Sequence, residues 1–308
     1  MFYYSFWQNL IFSEKINYMI INTEKEFLEF VKQQENNFSS SSVSGEYAQI
    51  FEAVAPYTLI NAEISTKTFA SGVRNLIAAR LLYKKNIRSL AIYHLQQALE
   101  LLIKWRAYFL LDKENVRNSS HNMKSLIGKV FQKEGEIRND ILNKINPPYK
   151  SENKYKYDDF FNIIFDNQFE QIKIAKYSKE EILNKREKVI KKIQKEVRGL
   201  HKIVHDLHKD SNFINLKNVT EEIFQKRGKN DVCEFVDPLF TTVFKLSYVP
   251  TFYGYITYPH QNYTRYSDRE IKPIDYENGF LGISQPEVFN KIVDDIYRVL
   301  IEFVKNFL

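Results

Sequence analysis

The sequence predicts an all-α protein, and three observations support this fold class. The chain of 308 residues contains only 9 Gly and 8 Pro. No Pro occurs between Tyr57 and Asn146, so helices can run through that stretch without a break. Apolar residues there recur every three to four positions, which is the spacing of one helix face. Hydrophobic residues at 44% and charged residues at 27% are the proportions of a globular fold.

Residues 1–61 are predicted to form an N-terminal extension. Within it, residues 22–36 have the pattern of a short amphipathic helix, and residues 38–45 form a Ser-rich linker. The apolar start, residues 1–12, lacks the basic region and cleavage site of a signal peptide. Two interpretations of the start remain open: a helix packed on the body, or a loose extension before a natural start at Met19.

Four core helices are predicted from apolar faces at helical spacing, over residues 63–84, 88–111, 124–134 and 286–308. The first three lie close in sequence and should pack as antiparallel neighbours. The last begins with Pro286, a residue suited to a first helical turn. We expect all four in one bundle.

A fifth, longer helix is predicted over residues 179–209, opened by a capping box in which Ser178 precedes Glu181 by three positions. One face forms an apolar seam of coiled-coil type, broken by Arg186, and we expect it to protrude as an arm. The seam residues are Leu183, Ile190, Ile193, Val197, Leu200, Val204 and Leu207. The helix holds 10 Lys and Arg against 5 Asp and Glu, which carries most of the net charge of +6. Such an excess fits contact with phosphate backbones.

Residues 231–263 carry Pro238, Pro250 and Pro259 among many aromatic residues, and this pattern favours short strands or extended loops. The single cysteine, Cys233, excludes an internal disulfide and a zinc site built from cysteines. We predict no cofactor and assign no metal-binding residues.

The segment from Ala91 to Trp105 carries two stripes at helical spacing, one apolar and one polar. The polar stripe consists of Tyr93, Gln97, Glu100 and Lys104. His94 lies beside it, and a satisfied core histidine is its expected role. The turn Asn118-Ser-Ser-His121 follows.

This segment resembles the HEPN superfamily, whose second helix reads roughly Ala-x-Tyr-His-x-Gln-Gln-Ala-x-Glu-x-x-x-Lys and precedes a turn like that of His121. Arg265-Tyr266-Ser267-Asp268 is similar to the Arg-Tyr-Pro-Asp segment that many HEPN domains carry before their last helix. The resemblance implies HEPN-like parts at residues 62–134 and 255–308, separated by a helical insertion at 135–254. It also implies a usually dimeric bundle and ligand-binding roles for the polar stripe, His121, Arg265, Tyr266 and Asp268.

Active HEPN members carry an Arg followed, after four to six residues, by a His. Arg198 and His205 fit this spacing and are our predicted catalytic pair, whereas Arg117 and His121 are too close together. A His base and an Arg that stabilises phosphorane charge would suit metal-independent RNA cleavage. His201, His205 and His208 share one helix face, so a solvated face and a metal site remain open alternatives.

The resemblance thus implies a protein that binds RNA or a nucleotide in a prokaryotic defence or stress system of toxin–antitoxin type, with ribonuclease activity as a further expectation. Expected partners are a second copy of the chain and a nucleotidyltransferase or antitoxin. The chain has no run of 18 apolar residues, so we expect no membrane partner and a cytoplasmic location. The alternative is a non-catalytic scaffold that dimerises through the insertion.

Overall fold

The computed structural model describes residues 62–111, 116, 123–145, 170–209, 232–264 and 270–307, and these ranges contain helices and turns without a strand. The predicted all-α class is confirmed for this part of the chain. In order the elements are α1 (Ala62–Lys84), α2 (Arg88–Leu110), α3 (Met123–Ile145), α4 (Gln171–Ala175), α5 (Lys179–Lys209), α6 (Val232–Thr257), α7 (His260–Tyr263), α8 (Pro273–Glu277), a 3₁₀ turn (Gly282–Ser284) and α9 (Pro286–Phe307).

Helices α1 and α2 form an antiparallel hairpin with a tight turn. Asn86 adopts a left-handed conformation with φ 58°, a geometry that Asn tolerates well. The amide of Ile87 donates to the carbonyl of Leu82 at 3.0 Å and closes the turn. Gly72 lets the two helices approach, because a Cβ there would lie 3.1 Å from the Leu102 side chain. The bounds agree with the two helices predicted from the sequence.

The last helix, α9, packs on this hairpin although α3 to α8 lie between them in sequence. Phe289 stacks on Tyr83 of α1 with ring centroids 3.9 Å apart. Phe303 meets Trp105 of α2 edge-on at 5.2 Å. The predicted bundle therefore includes its most distant member.

The innermost helix is α6, and the prediction of strands or loops for residues 231–263 was wrong. Its residues 248–257 are buried without exception, against contacts from α2, α3, α5 and α9. A helix covered on all sides is apolar all round and shows no amphipathic period. Even so, no helix in the described part of the chain has an apolar run long enough to cross a bilayer.

A buried arginine compensates the break that Pro250 makes inside α6. Proline has no N–H, so the carbonyl of Leu246, four residues earlier, loses its helical donor. Arg106 of α2 donates from its Nη1 atom to the Leu246 carbonyl and to the Ser247 carbonyl, each at 3.0 Å. Glu134 of α3 forms an ion pair with the same guanidinium. Arg106 thus supplies the hydrogen bond to the Leu246 carbonyl that Pro250 cannot donate.

The long helix α5 begins with the predicted capping box. The Ser178 amide donates to the Glu181 carboxylate at 2.7 Å, and the Glu181 amide donates to the Ser178 hydroxyl at 3.1 Å. Its buried residues Ile182, Val189 and Ile193 join the core on the side that faces α6. Over these residues α5 lies on the body of the protein, and the expected protruding arm is not observed there.

A glutamate from α8 caps the N-terminus of α2, which has no capping side chain of its own. The Glu277 carboxylate accepts bonds from the amides of Arg88 at 2.8 Å and Ser89 at 3.0 Å, and from the Ser89 hydroxyl at 2.7 Å. Burial alone would raise the pKa of Glu277, but these bonds and the charge of Arg88 outweigh it and lower the pKa. The carboxylate therefore stays charged and complements the helix dipole.

Candidate functional site

The side chains of the polar stripe of α2 bond to one another and to Gln96 of the same helix. Lys104 Nζ lies 2.6 Å from Glu100 Oε1, and the two side chains are only 18% and 15% exposed. Gln96 donates to Glu100 Oε2 at 3.0 Å, and Gln97 donates to Gln96 at 2.6 Å. The stripe therefore forms a chain of bonds along its own helix. Gln96, which the sequence analysis left out, is the fully buried member of that chain.

His94 is partnered across the hairpin. Its Nδ1 atom lies 2.8 Å from Oδ1 of Asn75 on α1, and Asn75 donates in turn to the Ser71 carbonyl at 2.9 Å. Partial burial lowers the pKa of His94, so the ring is neutral at physiological pH. This arrangement fits the expected role of a satisfied histidine between helices.

Arg186, which interrupts the apolar seam in the sequence, anchors α5 to the bundle. Its Nε and Nη2 atoms bind the two oxygens of Asp295 on α9 at 2.6 and 2.9 Å. The Tyr253 hydroxyl of α6 donates to the same carboxylate at 2.6 Å. Hydrogen bonding to Asp295 raises the pKa of Arg186, and burial with the nearby Asp295 charge raises the pKa of Tyr253. All three helices meet at this ion pair.

The opposite side of α5 carries a face of cations, which we call the basic face: Lys188, Lys191, Lys195 and Arg198. All four are exposed and follow one another at steps of three and four residues. Between residues 188 and 199 the other exposed positions are Gln194 and Gly199, so this stretch exposes no carboxylate.

The one acidic residue of this stretch, Glu196, lies on the flank and is bound to Lys192 at 2.8 Å. Among the described residues, no ion pair engages Lys188, Lys191 or Lys195. Arg198 donates through Nε to the Gln194 carbonyl at 3.2 Å, which orients its guanidinium along the helix surface. The basic face is therefore a concentration of positive charge directed at solvent.

Several predicted site residues lie outside the described residues. His121, Arg265, Tyr266 and Asp268 fall between the described ranges. His201, His205 and His208 lie on the backbone of α5, but their side chains are not among those described. Their roles stay predictions. Within the described ranges, no group of three or more His, Cys, Asp or Glu side chains could hold a metal ion.

Two buried polar clusters were missed by sequence reasoning. Arg106, Glu134 and Ser247 form one, in which the Ser247 hydroxyl donates to Glu134 at 2.5 Å and accepts from Arg106 at 2.7 Å. His260 and Tyr276 form the other at 2.7 Å, and full burial lowers the pKa of His260 to about 3. An unexplained charge in a predicted apolar helix was the only signal for Arg106. Both clusters join helices; His260 is fully buried, whereas Glu134 of the other cluster keeps 21% of its side chain exposed.

Comparison with known proteins identifies one family. The family model of the HEPN domain matches residues 68–197, which include most of α1, all of α2, α3 and α4, and the first part of α5. The match runs through residues 135–197, part of the segment that the sequence analysis assigned to an insertion, and it ends one residue before Arg198. No curated protein and no solved structure matches the chain.

Proposed function

Because residues 68–197 match the family model of the HEPN domain, we propose that the chain binds RNA through the basic face of α5. The observation that carries this proposal is the row of exposed cations from Lys188 to Arg198, with no exposed carboxylate among them. Surplus positive charge held on one face attracts phosphate backbones, and the release of their counterions drives binding.

The shape of the basic face favours a polynucleotide over a mononucleotide. Ten residues separate Lys188 from Arg198, which is about 15 Å along a helix. The cations are thus spread along a line and do not converge on one point as in a phosphate pocket. A line of lysines tracks a backbone without reading bases, so binding should depend little on sequence.

Ribonuclease activity is our second, finer proposal, and it places Arg198 and His205 at the scissile phosphate. They are seven residues apart on α5, two helical turns, so the two positions fall on the same face of the helix. A neutral His can take the 2′-hydroxyl proton, and an Arg can stabilise the charge of the phosphorane. The expected dimer would supply a second pair, and an antitoxin or nucleotidyltransferase would be the partner in the cell.

The alternative of a scaffold that dimerises through the seam has less support. Ile182, Val189 and Ile193 are buried within the chain on the side facing α6. That part of α5 has its helix partner already. Only the seam beyond residue 199, whose side chains are not described, could pair with a second chain.

RNA binding is tested by fluorescence anisotropy with a labelled single-stranded RNA. If four phosphates are contacted, log K should fall with log salt at a slope of about −2.8, and K188Q/K191Q/K195Q should reduce the slope to about −0.7. At 0.15 M salt the variant should bind roughly 50-fold more weakly. The matched control is K84Q/K85Q/K272Q, which removes three exposed lysines elsewhere. Equal losses in both variants would contradict a site on α5.

Cleavage is tested on the same RNA with and without EDTA. His205→Ala should lower the rate by about 100-fold or more while binding stays nearly intact, and Arg198→Ala should weaken both. Cleavage that EDTA abolishes would point to a metal site in the histidine cluster. If His205→Ala cleaves normally and His121→Ala does not, the active site belongs to the turn after α2.

A further inference from the structure

The large apolar side chains that are exposed in the described part of the chain belong to two neighbouring segments. Three lie at the α1–α2 turn and two lie in or just after α8. We call this set the apolar corner: Leu81 (58% exposed), Ile87 (41%), Leu90 (44%), Ile274 (55%) and Phe280 (75%). Exposed apolar side chains that form one contiguous patch mark an interaction site, whereas singly scattered ones are normal.

The structure ties the two segments together. The Glu277 carboxylate binds the amides of Arg88 and Ser89, which places α8 directly on the start of α2. Ile274 lies one helical turn before Glu277. The Phe280 amide donates to the Asp275 carbonyl at 3.0 Å, so Phe280 follows α8 in a tight turn. A Cβ on Gly279 would lie 2.8 Å from the Arg88 guanidinium, so no space separates this turn from α2.

The charges around the apolar corner are positive. Lys84, Lys85 and Lys272 are exposed. The two carboxylates of α8 are engaged with backbone amides, Asp275 with the amide of Lys272 and Glu277 with those of α2. An occupant should therefore present an apolar face flanked by carboxylates. A second copy docking through the same surface would bring the lysine rim towards itself, which like charges disfavour.

Residues 22–36 of this chain have the pattern of an apolar helix face flanked by carboxylates. At 100° per residue, Phe27, Phe30 and Val31 share one side of a helix. Glu24 and Glu26 flank that side.

The two lysines of the segment, Lys25 and Lys32, fall on the opposite side, away from the apolar face. We propose that residues 22–36 dock as an amphipathic helix on the apolar corner of the same chain. In this arrangement Glu24 and Glu26 face the lysine rim.

The connecting chain has the right length. The apolar corner lies at the far end of α1 from Ala62, about 33 Å away at 1.5 Å per residue. Residues 37–61 provide 25 positions between the docking segment and α1. A chain of 25 residues reaches at most about 85 Å when fully extended. This exceeds the span, so the connection is long enough for the segment to contact the apolar corner.

Crosslinking in the full chain tests the contact. In a Cys233→Ser background, Gln34→Cys on the apolar side of the segment is paired with Ile274→Cys on α8 and treated with a short bismaleimide. Phe27, Phe30 and Phe280 remain in place. The control pairs Gln34→Cys with Gln194→Cys, an exposed site on α5. We expect an intramolecular crosslink about tenfold faster than in the control. Equal rates would overturn the proposal, and a crosslinked dimer as the main product would assign the corner to a second copy.

A charge swap tests the electrostatic part of the contact. E24K/E26K and K84E/K85E should each raise the fluorescence of an apolar dye that binds exposed hydrophobic surface, and the combined variant should restore the wild-type level. If the combined variant shows the sum of the two increases, the carboxylates do not face the lysines. Neither test depends on RNA binding, because neither measures it and the four cations Lys188, Lys191, Lys195 and Arg198 are unchanged in all these variants.

Discussion

Helices α2 and α5 both carry a polar stripe at helical spacing, but they use it in opposite ways. On α2, Lys104, Glu100, Gln96 and Gln97 bond to one another along the helix. On α5, the lysines of the basic face make no ion pair with any described residue. Periodicity in the sequence therefore shows where a stripe lies, whereas the pairing of its groups shows whether it is available to a ligand.

The difference bears on the ligand-binding role that the family resemblance implies for the α2 stripe. A ligand there would have to displace bonds of 2.6 and 3.0 Å between side chains that are largely buried. A phosphate on α5 would displace only water. Both helices also carry one arginine that fastens them to the core, the buried Arg106 on α2 and the partly buried Arg186 on α5, and these supply the strongest tests.

The largest effect is expected at Arg106. Arg106→Met removes the donor that satisfies the Leu246 carbonyl and leaves Glu134 without its ion pair, so unfolding by urea should require about 4 kcal/mol less. Pro250→Ala in that background should recover about 1 kcal/mol, because an alanine at this position has an N–H that can donate to the Leu246 carbonyl. In the wild-type background the same change should recover less. Equal effects in both backgrounds would show that Arg106 does not act through the carbonyl.

The next effect is expected at the anchor of α5. Asp295→Asn removes the two-oxygen partner of Arg186 and leaves only its ion pair with the exposed Glu187 at 2.6 Å, so the free energy of unfolding should fall by about 3 kcal/mol. Asp294→Asn is the matched control, since Asp294 is the exposed neighbour on the same helix and should change stability by less than about 0.5 kcal/mol. Similar urea midpoints for the two variants would refute the anchor.

Substitutions in the two stripes should have smaller effects, and these should differ in kind. Those on α5 should change RNA affinity, and those on α2 should change stability. Lys191→Gln with Lys195→Gln on α5 should weaken RNA binding roughly 15-fold in 0.15 M salt and leave stability unchanged. Glu100→Gln with Lys104→Gln on α2 should lower stability by up to about 1 kcal/mol and leave RNA affinity unchanged. Anisotropy and urea titrations on both variants provide the check. An affinity loss in the α2 variant would assign ligand binding to α2.

The smallest effect is expected at the start of α2. Glu277→Ala removes a cap that α8 supplies, and the loss should be about 1 kcal/mol of unfolding free energy. Because the pKa of Glu277 is lowered, the contribution of this carboxylate is present above its unfolded pKa and is lost as the pH falls through the folded value. Wild type and variant should therefore converge in thermal stability under acidic conditions. A constant difference at all pH values would contradict the role of the charge.

Sequence patterns predicted the structure correctly where all the interacting residues lie within one segment. The capping box at Ser178 and Glu181 set the start of α5 and appears as predicted. The amphipathic faces of α1, α2 and α9 gave their bounds within a few residues. The motif on α2 indicated a resemblance to the HEPN family, and the family model of the HEPN domain matches residues 68–197. Arg186 was visible in the sequence as a break in the apolar seam, but no nearby residue indicated that its ion-pair partner would be Asp295.

The sequence by itself determined the all-α class, the resemblance to the HEPN domain, the amphipathic helices and the charge of α5, because each depends on the spacing or composition of residues within single helices. Only the tertiary structure decided that α6 is a helix. Its prolines and its uniform apolar surface conceal the period, and Arg106, 140 residues away from Leu246, supplies the donor that makes Pro250 tolerable. The tertiary structure also decided that the lysines of α5, unlike the polar side chains of α2, have no ion-pair partner among the described residues. Such ion pairs depend on side-chain rotamers and on burial by distant segments. Contacts between residues far apart in the chain produce no periodic pattern in the sequence, so they cannot be predicted from residue spacing.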